Sequence, residues 1–163
     1  MNYQQWLQQA AQALNQANPT ENGKTDAQVL LQSVTQKSRA FILAFGETQL
    51  DEKTQEKLTA LLSRRLQGEP IAYLLGEKEF WSLPLNVSAG TLIPRPDTEI
   101  LVEKAVAIAT EALQKCGQHS QRFRILDLGT GTGAIALALA SELKPIAQKQ
   151  HIQLEIIGVD VMP

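Results

Sequence analysis

The segment from Arg124 to Ala140 constrains this chain more than any other. An apolar run, Ile125 to Leu128, meets a turn built on Gly129, Gly131 and Gly133 and passes directly into a helix rich in alanine and leucine. Strand, glycine turn and helix in that order form the first βα unit of a nucleotide-binding sheet, because glycines let backbone amides approach a ligand that a Cβ would hold away. A second apolar run, Leu154, Ile156, Ile157 and Val159, begins about 20 residues after the turn and ends in Asp160, where an acid can accept both ribose hydroxyl protons.

The glycines alone do not choose the nucleotide, since Gly129, Gly131 and Ala134 also satisfy the looser dinucleotide pattern. Asp127 separates the two ligands. A carboxylate just before the turn would repel a pyrophosphate, whereas S-adenosylmethionine has no phosphates and carries an ammonium and a sulfonium. The expected cofactor site is therefore Asp127, Gly129, Thr130, Gly131, Thr132, Gly133 and Asp160, with no metal. An NAD-dependent oxidoreductase would share the fold and Asp160 and stays open as an alternative.

Upstream, the first 75 residues read as helical throughout. Trp6, Leu7, Ala10, Ala11 and Leu14 line one face. The break from Asn18 to Gly23 follows, then a face through Ala27, Leu30, Leu31 and Val34. Ser38 caps a short helix over Arg39 to Phe45 that Gly46 ends, and a long run from Asp51 carries Leu58, Leu61, Leu62 and Leu66 to Gly68. Faces this small must bury one another, so a compact bundle is expected, with Trp6, Phe41 and Phe45 in its core.

Glu79 to Val87, with Phe80, Trp81, Leu83, Leu85 and Pro84, suits short extended strands. In Pro94 to Glu99 two prolines straddle Arg95 and hold it extended before a helix that starts at Asp97 or Thr98 and carries Leu101, Val102, Ala105 and Ile108. Arg95 is a candidate for the rim of the active site. A net charge of −2 without a basic stripe gives no reason to expect nucleic acid as a partner. The start has neither a basic n-region nor an apolar h-region, and no run approaches the ~18 apolar residues of a membrane span, so the expected location is the cytoplasm. Cys116, the one cysteine, cannot form an internal disulfide and has no His or Asp pattern that would make it a nucleophile.

Taken together, Phe41 to Glu47, Arg65 to Tyr73, Glu79 to Leu85, Leu92 to Glu99 and the motif ending at Gly133 resemble the N-terminal part of the PrmC/HemK family, the protein-(glutamine-N5) methyltransferases of peptide chain release factors. The segment Ile93 to Glu99 upstream of the glycines is the most selective of these. The resemblance implies an α plus α/β protein: a helical substrate-recognition domain over 1–75, a hairpin linker over 76–93 and a Rossmann-like methyltransferase domain over 94–163. It also implies S-adenosylmethionine as cofactor and the glutamine of the Gly-Gly-Gln loop of class I release factors as target. The family carries an Asn-Pro-Pro-Tyr motif after its fourth strand, whose acceptors would orient the weakly nucleophilic amide nitrogen. That tetrapeptide does not occur in this sequence. The expectation is an incomplete methyltransferase domain, inactive alone, whose two apolar strands lack the neighbours needed for stability. A non-catalytic module that binds release factors is the second reading.

Overall fold

The computed structural model describes residues 1–19, 22–115 and 122–161, which divide into two units, Met1–Leu75 and Gly76–Pro163. Cys116 lies outside the described residues, as do Thr20 and Glu21 of the expected break.

The first unit is helical. Helix α1, Tyr3–Ala17, opens with a capping box: Asn2 accepts from the Gln5 amide at 2.9 Å while the Gln5 side chain accepts from the Asn2 amide at 3.0 Å. Helix α2, Gly23–Thr35, is capped by Asn22, and α3, Arg39–Ala44, by Ser38. Helix α4, Glu52–Leu66, starts from Asp51, whose Oδ1 accepts from the Thr54 amide at 2.8 Å. A fifth short helix, α5, Ile71–Leu75, follows Pro70. The core joins Trp6, Ala10, Leu14, Ala27, Leu30, Leu31, Ile42 and Leu58. Arg65 of α4 donates to Asp26 of α2 at 2.7 Å, tying the two helices, and burial pushes the Asp26 carboxyl above its ordinary value.

The aromatic expectation needs correction at α3. Trp6 is buried, but Phe45 is 55% exposed and Phe41 only half-buried. A six-residue helix has room for one buried side, which Ile42 takes. The two rings lie tilted against each other, centroids 4.6 Å apart, with Phe41 packed at the edge of the core and the Lys37 ammonium 5.0 Å from its centroid.

The second unit begins with a hairpin, β1 (Glu77–Phe80) antiparallel to β2 (Leu83–Asn86), which forms a two-stranded sheet of its own. Phe80 pairs with Leu83, so Trp81 and Ser82 are the two-residue turn and not strand. Phe80 and Leu85 lie in the core of the second unit beside Val102, Leu113, Leu139 and Leu143. Helix α6, Thr98–Lys115, starts where expected, but it buries Val102, Ala109 and Leu113 and leaves Leu101 and Ile108 exposed. Apolar residues surround more than one side of this helix, so spacing alone could not say which side the core would take.

Strand β3, Arg122–Leu128, leads through the glycine turn into α7, Ala134–Lys149, and then into β4, Gln153–Val159. The two strands pair in parallel from Arg122 with Gln153 to Leu128 with Val159. This strand, helix and parallel strand succession is the opening unit of a Rossmann-like sheet. Its faces differ. Phe123, Ile125, Leu154 and Ile156 pack into the core, while Leu126, Leu128, Ile157 and Val159 on the opposite face are exposed. The two strands pair with each other, and one face of the pair is covered by the core of this unit.

Candidate functional site

Residues at the C-terminal ends of β3 and β4 come together because the turn folds back over the end of β4. The amides of Gly129 and Thr130 donate to the Val159 carbonyl at 2.7 and 3.1 Å, and Gly133 donates to the Thr130 carbonyl at 2.8 Å. These bonds require Gly129 and Gly131 to take φ of +72° and +54°, which L side chains rarely adopt. A Cβ at either position would meet no heavy atom within 4 Å, so these glycines border open space that a side chain would fill.

Two carboxylates frame that space. The Thr130 hydroxyl donates to Asp127 Oδ2 at 2.7 Å, and the Gly131 amide donates to Asp160 Oδ2 at 2.7 Å. Asp160 therefore already braces the turn through one oxygen, a role the sequence reading did not give it. Thr132 and Gly133 complete the turn and deliver the chain to α7, whose first buried residue is Ala134. Of the expected site, Asp127, Gly129, Thr130, Gly131, Thr132, Gly133 and Asp160 all belong to this one turn and the adjoining strand ends.

Arg95 is placed differently. It is exposed, and among the described residues its side chain makes no hydrogen bond or ion pair, including to the glycine turn. Its carbonyl accepts from the Thr98 amide at 3.0 Å as α6 begins. Four positions on, Glu99 turns back to the hairpin and accepts from the Trp81 amide at 3.0 Å.

One residue of the site escaped the sequence reading. Gly158 pairs with Asp127 across the sheet, and a Cβ on it would lie 2.8 Å from Thr130 Oγ1 and 3.0 Å from Cγ2. Its lack of a side chain admits Thr130 beneath the turn, where the hydroxyl reaches Asp127. The available signal was a lone glycine inside an apolar strand, which marks a close approach. Among the described residues no group of His, Cys, Asp or Glu has the arrangement to hold a metal ion, and no helix is long and apolar enough to cross a membrane.

Comparison with known proteins matches residues 5–76 to the PrmC N-terminal domain. The chain is 72% identical over 162 residues to a release factor glutamine methyltransferase of Haemophilus influenzae, covering 99% of this chain and 54% of that protein. Those of Pasteurella multocida and Escherichia coli are 55% and 56% identical over 163 residues, with 54% and 52% of their lengths covered. The chain spans about half the length of the curated relatives it matches.

Proposed function

We propose, from a chain whose residues 5–76 match the PrmC N-terminal domain and whose whole length is similar to release factor glutamine methyltransferases, that it supplies the cofactor half of such an enzyme. The reaction is transfer of a methyl group from S-adenosylmethionine to the glutamine of the Gly-Gly-Gln loop in class I release factors, in the cytoplasm. The observation that carries this reading is the open, positive-φ turn at Gly129 and Gly131 between two carboxylates.

The residues present fit the cofactor. Open space beside two glycines that carry no Cβ suits a ligand approached by backbone, and Asp127 suits an ammonium better than a phosphate. Asp127, Thr130 and the glycines would hold the amino acid end and Asp160 the ribose. The bound cofactor supplies an electrophilic methyl group. The chain's own part is to bind and orient: Asp160 keeps the Gly131 amide in place, and Thr130 fixes the Asp127 carboxylate. The helical unit, residues 1–75, would recognise the release factor, the hairpin 76–93 would link it to the methyltransferase part, and Arg95 would stand at the rim of the reacting site.

The test is calorimetric binding of S-adenosylmethionine and NADH to the protein carrying this chain. We expect binding of the first and not the second. Asp160→Ala should weaken it by about ten- to a hundredfold, the size of a charge-assisted hydrogen bond. Preferential NADH binding, or parental affinity in the Asp160 variant, would overturn the assignment.

A further inference from the structure

The hairpin turn holds two non-glycine residues in a conformation that L side chains rarely adopt. Trp81 and Ser82 have φ of 53° and 58°. A two-residue hairpin turn with both φ positive is normally made of Asn-Gly or Gly-Gly, and a tryptophan beside a serine has no intrinsic preference for it. Something outside the turn must hold it.

Two carboxylates do so, one from each helix of this unit. Glu99, in the first turn of α6, accepts from the Trp81 backbone amide at 3.0 Å. Glu142, on α7, accepts from the Trp81 indole Nε1 at 2.8 Å. The ring itself packs against the core that contains Phe80 and Leu85. The side chain is thus fixed by α7, its backbone amide is aimed at Glu99, and Glu99 lies four residues after Arg95. At the start of α6 the Thr98, Glu99 and Ile100 amides bond to the Arg95, Pro96 and Asp97 carbonyls at 3.0, 2.9 and 3.3 Å.

We infer that Trp81 is a positioning residue: the strained hairpin turn, braced by Glu142, pins Glu99 and thereby sets the start of α6 and the Arg95 loop in front of it. Local strain kept in place by converging hydrogen bonds is a means of fixing a nearby functional segment. No contact of Trp81 with substrate or cofactor is involved. The inference rests on the reading of Arg95 as a rim residue only for its consequence in catalysis; the mechanical link stands without it.

Glu142 is exposed, so replacing it leaves the core intact. In Glu142→Ala, hydrogen exchange at the Thr98, Glu99 and Ile100 amides should quicken by about tenfold, the effect of losing a hydrogen bond to a charged group. Exchange at Ala109 to Leu113 should be unchanged, and Glu142→Gln, which keeps an acceptor for the indole, should restore the parental rates. Unchanged exchange at residues 98–100, or acceleration spread evenly along α6, would overturn the inference. Methyl transfer from labelled S-adenosylmethionine to a release factor, catalysed by a full-length enzyme that carries this chain, supplies the second arm. Glu142→Ala should slow it several-fold with Arg95 present and have no further effect in an Arg95→Ala background, whereas independent, multiplying losses would count against the link. A silent Arg95→Ala would remove the rim reading alone, while the exchange result would still decide the role of Trp81.

Discussion

In the helical unit Ala27, Leu30, Leu31 and Leu58 are fully buried, and the large apolar side chains left in solvent are few: Met1, Leu43, Phe45 and Leu66. In the second unit Val102, Leu113 and Leu143 are buried as deeply, yet Leu126, Leu128, Ile157 and Val159 on one sheet face and Ile100, Leu101 and Ile108 on α6 stand exposed. The difference lies in the elements. A short amphipathic helix has one stripe to hide, which a neighbouring helix can cover. A parallel sheet has two faces to hide, and here helices cover one of them. The exposed side chains still differ in kind from those of the glycine turn, where the open space is bordered by backbone and carboxylate.

The largest expected effect probes the helical core. Leu58→Ala should destabilise the first unit by about 2 to 5 kcal/mol, the usual cost of emptying a fully buried leucine site. Exchange of the α1, α2 and α4 amides should rise while that of β3 and β4 stays at the parental rate. Parallel loss in both units, read by the same exchange experiment, would show that the two units unfold together.

A smaller effect is expected at the turn. Gly158→Val would force a side chain into Thr130, 2.8 Å from a modest Cβ alone. The overpacking should cost about 1 to 3 kcal/mol. It should also weaken S-adenosylmethionine binding by displacing the hydroxyl that fixes Asp127. Thermal unfolding and calorimetry on the same variant separate the two consequences, and unaltered binding would remove Thr130 from the site.

The smallest effect lies at the start of α4. The Thr54 amide, then the Thr54 hydroxyl, hold the Asp51 carboxyl below the ordinary carboxylate range. A depressed folded-state pKa means that the contribution is fully present above the unfolded value and is lost as pH falls through the lower folded one. Asp51→Asn keeps an acceptor for the Thr54 amide but has no proton to gain. The variant's unfolding midpoint should therefore vary less with pH than the parent's between neutral pH and about pH 3. Equal slopes in the two proteins would show that Asp51 does not contribute to acid sensitivity.

Much of this was legible in the sequence, for reasons that can be located. Ser38 and Asp51 mark their helices because a cap acts on amides two or three residues away, and Gly129 to Gly133 mark the turn because its φ values demand glycine. Such effects are local. The side of α6 that is buried was not legible, since Leu101 and Val102 are equally apolar and only the packing of α7 distinguishes them. Nor was the turn at Trp81 and Ser82, where neither residue favours the positive φ the reversal uses and the stabilising groups, Glu99 and Glu142, lie on two helices. The brace from Asp160 to Gly131 spans 29 positions; the sequence placed both residues at one site, but geometry alone showed them bonded.

The parallel pairing of β3 with β4 also carries a topological cost. Its rungs join residues 31 positions apart, as Arg122 with Gln153. Closing an interval of that length costs about 3 kcal/mol of chain entropy before the first rung can form. No short-range nucleus offers a way round it, because α7 must first return the chain to its starting end. The helices of the first unit gather contacts turn by turn within themselves and meet through short connections. Contact order therefore makes the glycine turn, which exists only once Val159 has reached Gly129, among the last features of the chain to form.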